Sequence, residues 1–186
     1  MGVKHDGAKY FEWGEWGNVE LIFPTIEHKL AAWDYRQEYF TYGENHIHGS
    51  AGFIHAEDYE SWLEKITAAQ TVAPPEFVTG ITYFAVVGNK IVGTISIRHY
   101  LNESLLKVGG HIGYGVRPSE RRKGYGTRML SLALEKCRGM GIEKALITCD
   151  KVNIASAKTA VKNGGIMENE FTEDDGNIVQ RYWIIL

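Results

Sequence analysis

The stretch from Ile81 to Ile97 constrains the fold of this chain more than any other feature. It is rich in β-branched and aromatic residues and is interrupted only at Gly88-Asn89-Lys90. Gly and Asn tolerate the positive φ values of a tight turn, so the stretch predicts two strands joined as a hairpin. A third strand is predicted from His111 to Val116, where Pro118 stops it. Together they indicate a meander of three strands.

Helices are predicted before and after this meander. Their predicted ranges are Glu27–Phe40, a segment with Tyr59, Trp62, Leu63 and Ile66 on one face, Gly124–Gly139 and Asn153–Lys162. Further strands are predicted at Val19–Phe23, Ala145–Cys149, Ile166–Phe171 and Ile178–Leu186. Thr41–His55 is predicted to be a loop and Arg98–Lys107 a polar connection. This order predicts an α/β (α+β) fold with a mixed, mostly antiparallel central sheet and helices on both faces.

The 186 residues are enough for one ordinary domain. Residues 1–17 mix charged, aromatic and Gly residues without a period, so we predict an extension of uncertain order followed by a single domain over residues 18–186. No apolar run approaches the roughly 18 residues of a membrane span, and the start does not resemble a secretory signal. We therefore expect a cytoplasmic protein that does not bind membranes, with Cys137 and Cys149 as reduced thiols.

Two binding chemistries are disfavoured by the sequence. The net charge of -3 argues against a nucleic-acid binder, even though five cations lie close together at Arg117, Arg121, Arg122, Lys123 and Arg128. His46-x-His48 invites comparison with a zinc site, but zinc needs three or four ligands and no further ligand has the right spacing. We expect no metal, and these loop histidines could instead line the mouth of a substrate site.

A strand end, a cationic loop and a glycine-rich helix start follow one another between Val116 and Arg128. The first amides of a helix have no intrahelical partner and carry the positive end of the helix dipole. Gly124 and Gly126 would let a phosphate approach the backbone closely. The loop lacks the Gly-Lys-Ser/Thr of a P-loop and a complete dinucleotide-binding pattern. This arrangement favours the binding of a pyrophosphate.

The segment Arg121-x-x-Gly124-x-Gly126 resembles the Arg/Gln-x-x-Gly-x-Gly/Ala signature of the GNAT superfamily of N-acetyltransferases. Val116-x-Pro118 is similar to the family's junction between strand and loop, and the order of elements resembles the family's from Val19 to Leu186. Gly109 to Asp150 is similar to a bacterial subgroup of predicted acetyltransferases. The resemblance implies acetyl-CoA as co-substrate and transfer of its acetyl group to a primary amine by direct attack on the thioester.

The resemblance also implies how the coenzyme is held. Loop amides would bind the CoA pyrophosphate, and the main chain near Val116 would pair with the pantetheine arm like another strand. Asn153, at the start of the last helix, would bind the arm near the thioester, although a plain N-cap role is the alternative. The implied coenzyme-binding residues are Val116, Arg121, Arg122, Lys123, Gly124, Tyr125, Gly126, Thr127, Asn153 and Ser156.

The catalytic residues are less clearly indicated. Many relatives carry a Tyr seven residues after the Asn as general acid, but Ala160 occupies that position here. The positions at which relatives place a base on the preceding strand are Gly110 and Ile112, which do not titrate. The remaining candidates are Tyr114, His111 and Glu103. Positioning of the amine and a water chain could also serve without a strong base.

Other functions stay open at this point. The absence of the family's Tyr is compatible with a catalytically silent CoA-binding sensor or interaction module. A nucleic-acid contact is disfavoured because no aromatics are interleaved with the cations. The acceptor is a small molecule or a peptide amine, which the sequence does not distinguish. Strand edges at Val19–Phe23 and in the closing hairpin leave a homodimer open.

Overall fold

The computed structural model describes residues 18–186. The expectation for residues 1–17 lies outside the described residues, so the domain boundary at residue 18 stays a prediction. The helices and strands are β1 (Val19–Ile22), α1 (Lys29–Thr41), α2 (Tyr59–Ala68), β2 (Gly80–Val87), β3 (Lys90–Arg98), α3 (Glu103–Lys107), β4 (Ile112–Val116), α4 (Tyr125–Gly139), β5 (Lys144–Asp150), α5 (Ile154–Lys162), β6 (Ile166–Thr172) and β7 (Ile178–Ile185).

The strands form two antiparallel sheets, ordered β1-β2-β3-β4 and β5-β7-β6. The sheets meet at His111, whose backbone N–H donates to the carbonyl of Leu146 at 2.8 Å. The N–H of Leu146 donates to Nδ1 of the same histidine at 3.0 Å. Within residues 18–186, β4 and β5 form no ladder with each other. The predicted fold class is confirmed, and a gap divides the sheet between β4 and β5.

Helices cover both faces of the first sheet, as predicted. On one face α4 buries Leu130, Ala133, Leu134 and Cys137, which recur at helical spacing. On the other face α1 and α2 bury aromatic side chains that include Tyr35 and Trp62. Strand β2 contributes side chains to the hydrophobic cores on both faces of the first sheet, because its successive side chains point to opposite faces. Tyr83 and Ala85 pack on the α4 side, and Phe84 and Val86 pack on the side of α1 and α2.

Two predicted connections contain more structure than expected. No helix was predicted in the polar connection Arg98–Lys107, but α3 forms at its end. Asn102 caps this short helix by accepting from the Leu105 N–H at 2.9 Å, and five residues are too few to show a helical period. The predicted loop Thr41–His55 ends in a short 3-10 turn whose Phe53 is fully buried. None of the helices within residues 18–186 is long and apolar enough to cross a lipid bilayer.

Candidate functional site

The connection from β4 to α4 makes a compact turn of unusual backbone conformation. A short 3-10 turn at Pro118–Glu120 leads into Arg121, and α4 begins at Tyr125. Arg122 has a φ of 66° and Gly124 a φ of 82°, both in the left-handed region. Such values suit glycine but are uncommon for other residues, and they concentrate at functional sites. Left-handed residues of this kind are a feature of the backbone nests that bind anions.

The amides of this turn are available to a ligand. Within residues 18–186, no acceptor is bound to the N–H groups of Arg122, Lys123 or Gly124. The helical pattern starts only afterwards, where the N–H of Thr127 donates to the carbonyl of Gly124 at 3.0 Å. The helix dipole of α4 adds a partial positive charge at the same place. Unpaired donors next to a helix start fit the pyrophosphate of CoA.

The cations around the turn differ in what they bind. The Arg121 guanidinium forms a bidentate ion pair with Glu44, with N–O distances of 2.6 and 2.8 Å. This hydrogen-bonded carboxylate raises the pKa of Arg121 above its ordinary value. Lys123 binds Glu120 at 2.9 Å. The Arg122 side chain is exposed and has no hydrogen bond or ion pair with the part of the chain described here. Its charge is therefore free for a phosphate.

Helix α1 fixes the junction between β4 and this turn. The guanidinium of Arg117 is almost fully buried and binds Glu38 at 2.5 Å and Asp34 at 2.7 Å. The second oxygen of Glu38 accepts from the Ser119 N–H at 2.7 Å. Burial alone would raise the pKa of Glu38, but the hydrogen bonds from Ser119 and Arg117 outweigh it and hold that pKa below its ordinary value. Arg117 is thus a structural residue that no nucleic acid could reach.

Strand β4 presents a free edge to the gap in the sheet. Gly113 pairs with Ser96 and Gly115 with Thr94 on the β3 side. Because hydrogen-bonding groups alternate along a strand, the N–H and C=O of Tyr114 and Val116 point the other way, into the gap. The Val116 carbonyl already accepts from the Tyr39 hydroxyl at 3.0 Å and from Nε of Arg121 at 3.2 Å. Within residues 18–186, the Val116 N–H and the backbone of Tyr114 have no partner, so they can pair with an extended ligand.

The structure brings Tyr114 together with the start of α5. The Tyr114 hydroxyl is hydrogen-bonded to the Ser156 hydroxyl at 2.9 Å. Burial raises the pKa of Tyr114 to about 12, so the phenol stays protonated and can donate. Asn153 caps α5, because its Oδ1 accepts from the Ser156 N–H at 3.1 Å. The cap leaves the Nδ2 group of Asn153 without a partner within residues 18–186, so the side chain can cap and still donate to a ligand.

The other two catalytic candidates lie elsewhere. Nδ1 of His111 is engaged by Leu146, and burial followed by the nearby Arg98 charge lowers the pKa of His111 to about 4. His111 therefore joins the two sheets as a neutral ring. Glu103 is the first residue of α3, which precedes the Ile112 end of β4, and its side chain is exposed. The structure places neither residue beside the Tyr114 hydroxyl, which faces Ser156.

Several residues of the site have roles that the sequence did not predict. Asp34 and Glu38 of α1 were predicted only as part of a helix, Glu44 only as part of a loop, and Tyr39 as a core aromatic or a wall of the acceptor pocket. Their partners lie 77 or more residues away along the chain, so no local pattern reveals them. Among residues 18–186, no three His, Cys, Asp or Glu side chains gather in a way that could hold a metal ion.

Comparison with known proteins agrees with this geometry. The profile of the acetyltransferase (GNAT) family matches residues 27–164. The chain belongs to the GNAT acetyltransferase family. As a GNAT protein it is an N-acetyltransferase that uses acetyl-CoA as its co-substrate. No curated protein matches the chain significantly.

Solved structures of other acetyltransferases share the fold at low sequence identity. The ribosomal-protein-S5-alanine acetyltransferase from Vibrio fischeri has a TM-score of 0.70 and 15% identity, over 92% of this chain and 94% of that one. The microcin C7 self-immunity acetyltransferase MccE, solved with acetyl-CoA and AMP, has a TM-score of 0.68 and 16% identity, over 90% and 92%. RimL, a ribosomal L7/L12 α-N-protein acetyltransferase solved with CoA, has a TM-score of 0.66 and 18% identity, over 90% and 94%.

Proposed function

We propose that this GNAT protein binds acetyl-CoA along the gap between β4 and β5 and transfers the acetyl group directly to a primary amine. The observation that carries the proposal is the row of unpaired amides at Arg122, Lys123 and Gly124, next to the free edge of β4. These amides and the Arg122 side chain hold the pyrophosphate. The free edge of β4 and the Asn153 amide bind the pantetheine arm. Arg121 and Glu44 position the turn.

In this proposal Tyr114 is the general acid for the departing sulfur. Its hydroxyl lies at the start of α5 with Ser156, and α5 is the helix whose Ala160 occupies the position of the family's usual Tyr. Ala160 is fully buried and cannot contribute chemistry. A protonated phenol on the adjacent strand supplies the missing donor. This arrangement favours an enzyme over a silent CoA-binding sensor.

The acceptor is proposed to be a primary amine of a peptide or a small molecule. Two fold relatives act on ribosomal proteins, and one of them is described as an α-N-protein acetyltransferase. Peptide N-termini are therefore the first acceptors to test, followed by lysine, polyamines and amino-nucleotides.

Calorimetry and thiol release test this function together. Wild-type protein should bind CoA saturably, and Arg122→Glu should weaken binding at least about tenfold, because it replaces a free cation with a repelling charge. Lys107→Glu, the same change on exposed α3, is the matched control and should bind normally. Free CoA should appear only when acetyl-CoA and an amine are both present. Binding without thiol release for every acceptor would favour the sensor, and no binding at millimolar CoA would reject both.

Cytoplasmic location and a homodimer stay predictions. Strand β6 lies at the edge of its sheet, with Ile166 71% and Met167 50% exposed, which supports self-association. Light scattering at several concentrations would measure the mass directly.

A further inference from the structure

The loop between α1 and α2 lies directly on β4. The Thr94 hydroxyl of β3 donates to the carbonyl of His48 at 3.0 Å. A Cβ atom on Gly115 would lie only 2.8 Å from that carbonyl, so the glycine is what lets the loop touch the strand. His48 is therefore fixed above Gly115, next to Tyr114 along the strand. Because successive residues of a strand face opposite sides, the loop lies on the face of β4 opposite to the Tyr114 side chain.

The imidazole of His48 is partly exposed, and its ring nitrogens are available as proton acceptors. Within residues 18–186, neither of its ring nitrogens makes a hydrogen bond, and its ring contact is with His46 at 4.3 Å between centroids. The carboxylates nearby are already engaged. Glu44 binds Arg121, and Asp150 accepts from the Asn177 amide at 2.9 Å. His48 is a base at this position whose lone pair remains available to a ligand.

Charged and titratable groups near His48 come from its own loop, from the turn before α4 and from the end of β5. Glu44 and Asp150 favour its protonation, whereas His46 and Arg121 oppose it. Partial burial of the ring, followed by His46, lowers the pKa of His48 below its ordinary value of 6.5. The imidazole is therefore neutral at neutral pH and able to accept a proton. Asp150 ends β5, so the strand across the gap from β4 contributes a charge that acts on His48.

We infer that His48 is the general base that takes the proton from the acceptor amine. The inference rests on the proposed function and assigns the second proton transfer of that reaction. His48 and Tyr114 lie on opposite faces of β4, so they can serve the two sides of an acyl carbon held at its free edge. The attacking nitrogen and the departing sulfur are separate substituents of the acyl carbon, so a base and an acid in different positions can each serve one of them.

The proton balance of the step is complete with these two residues. The amine nitrogen forms a bond to the acyl carbon, and the bond between that carbon and sulfur breaks. One N–H proton passes to a ring nitrogen of His48, and the proton of the Tyr114 hydroxyl passes to the sulfur. Afterwards His48 gives its proton to water and Tyr114 takes one back. The products are the amide and the free thiol.

The pH dependence of kcat/KM tests the inference. In the wild type, both the acceptor ammonium and the His48 imidazolium must lose a proton. A plot of log kcat/KM should therefore rise with a slope of about 2 below the His48 pKa and about 1 above it, up to the pKa of the amine. His48→Gln should lower kcat/KM about a hundredfold and reduce the low-pH slope to about 1. Imidazole added to His48→Ala should restore part of the rate.

His46→Gln is the matched control, with the same change two residues away. It should keep kcat/KM within about twofold at pH 8, where His48 is neutral in either protein. A His48→Gln enzyme with wild-type kcat/KM and an unchanged slope, or a His48→Ala enzyme that imidazole does not rescue, would overturn the inference. Failure of the proposed function is distinguishable, because the wild type itself would then release no thiol with any amine.

Discussion

The carboxylate of Glu44 holds the guanidinium of Arg121 in a bidentate ion pair that joins two functional loops. Arg121 opens the family signature and precedes the unpaired amides, whereas Glu44 lies in the loop that carries His48. The same guanidinium lies 5.7 Å from the centre of the Tyr39 ring. Arg121 therefore connects the loop of the proposed acceptor site to the turn of the proposed coenzyme site. We assign it the role of positioning these two segments relative to each other.

Breaking this pair should affect coenzyme binding more than stability. Both side chains are partly exposed, at 42% and 34%, so Glu44→Gln should cost less than about 1 kcal/mol of unfolding free energy. The KM for acetyl-CoA should rise about fivefold, because the turn loses its support. Glu170→Gln, which breaks the similarly exposed Lys151 pair at 2.8 Å, should change stability alike and leave this KM unchanged. Tighter coenzyme binding by Glu44→Gln would identify Arg121 as a direct phosphate ligand instead.

The two glycines of the signature should respond differently to alanine. Gly124→Ala places a Cβ on a left-handed residue, which costs about 1 kcal/mol and shifts Tm down by about 2–4 °C. A Cβ on Gly126 would meet Val116, Thr159 and Tyr114 at 3.5, 3.7 and 3.8 Å, which are ordinary contacts. Gly126→Ala should therefore keep the wild-type Tm in thermal denaturation.

Comparison of Gly124→Glu with Gly124→Ala distinguishes the effect of a negative charge on CoA binding from the effect of backbone strain. Gly124→Glu carries the same backbone cost as Gly124→Ala but also places a carboxylate beside the unpaired amides. Calorimetry should show lost CoA binding for Gly124→Glu and weakened but measurable binding for Gly124→Ala. Equal CoA affinity in the two variants would argue against a phosphate site at this turn.

Removing the hydroxyl of Tyr114 tests its role as general acid. Tyr114→Phe retains the partly buried ring, so the Tm should change little, while kcat should fall about a hundredfold with an unchanged KM for acetyl-CoA. Because the pKa of Tyr114 is raised to about 12, the wild type should show no loss of rate from this residue below about pH 10. Tyr182→Phe, which removes a hydroxyl bound to Gln180 at 2.8 Å, is the control. Equal losses of kcat in both variants would contradict the assignment of Tyr114 as the general acid.

Burial of His111 should make stability depend on pH. Its pKa is lowered to about 4 in the folded protein and is about 6.5 when unfolded, so only the unfolded chain binds a proton between these values. The stability contributed by the neutral ring is present above about pH 6.5 and is lost as pH falls toward 4, by at most about 3 kcal/mol. Urea denaturation from pH 4.5 to 8 should show this loss, and a less stable His111→Asn should show a flatter profile. The same pH dependence of the unfolding free energy in the wild type and in His111→Asn would contradict this role of His111.

Local patterns in the sequence predicted most of the elements. The turn residues at Gly88-Asn89-Lys90 and the β-branched residues around them predicted β2 and β3 to within a residue or two. The apolar period of Leu130, Ala133, Leu134 and Cys137 predicted α4 in the same way. These signals lie within a single helix or a single hairpin, which is the range over which propensity and period act.

Long-range relationships were not accessible in this way. The junction between the two sheets depends on two hydrogen bonds between His111 and Leu146, which lie 35 residues apart. The ion pairs of Arg117 and Arg121 join segments 77 to 83 residues apart. A charged residue in the sequence shows no sign of which opposite charge it meets, so Arg121 was grouped with the phosphate-binding cations. The structure was needed to show that Glu44 binds it.

The gap between β4 and β5 has a practical consequence for handling the protein. The edge of β4 that faces β5 has no partner strand within residues 18–186, and such an edge can pair with another chain when no ligand covers it. Coenzyme at a hundred times its dissociation constant would add about 2.7 kcal/mol to the folded state and cover that strand. Purification, storage and crystallisation should therefore go better with CoA in every buffer, and aggregation should set in first in samples from which it has been dialysed away.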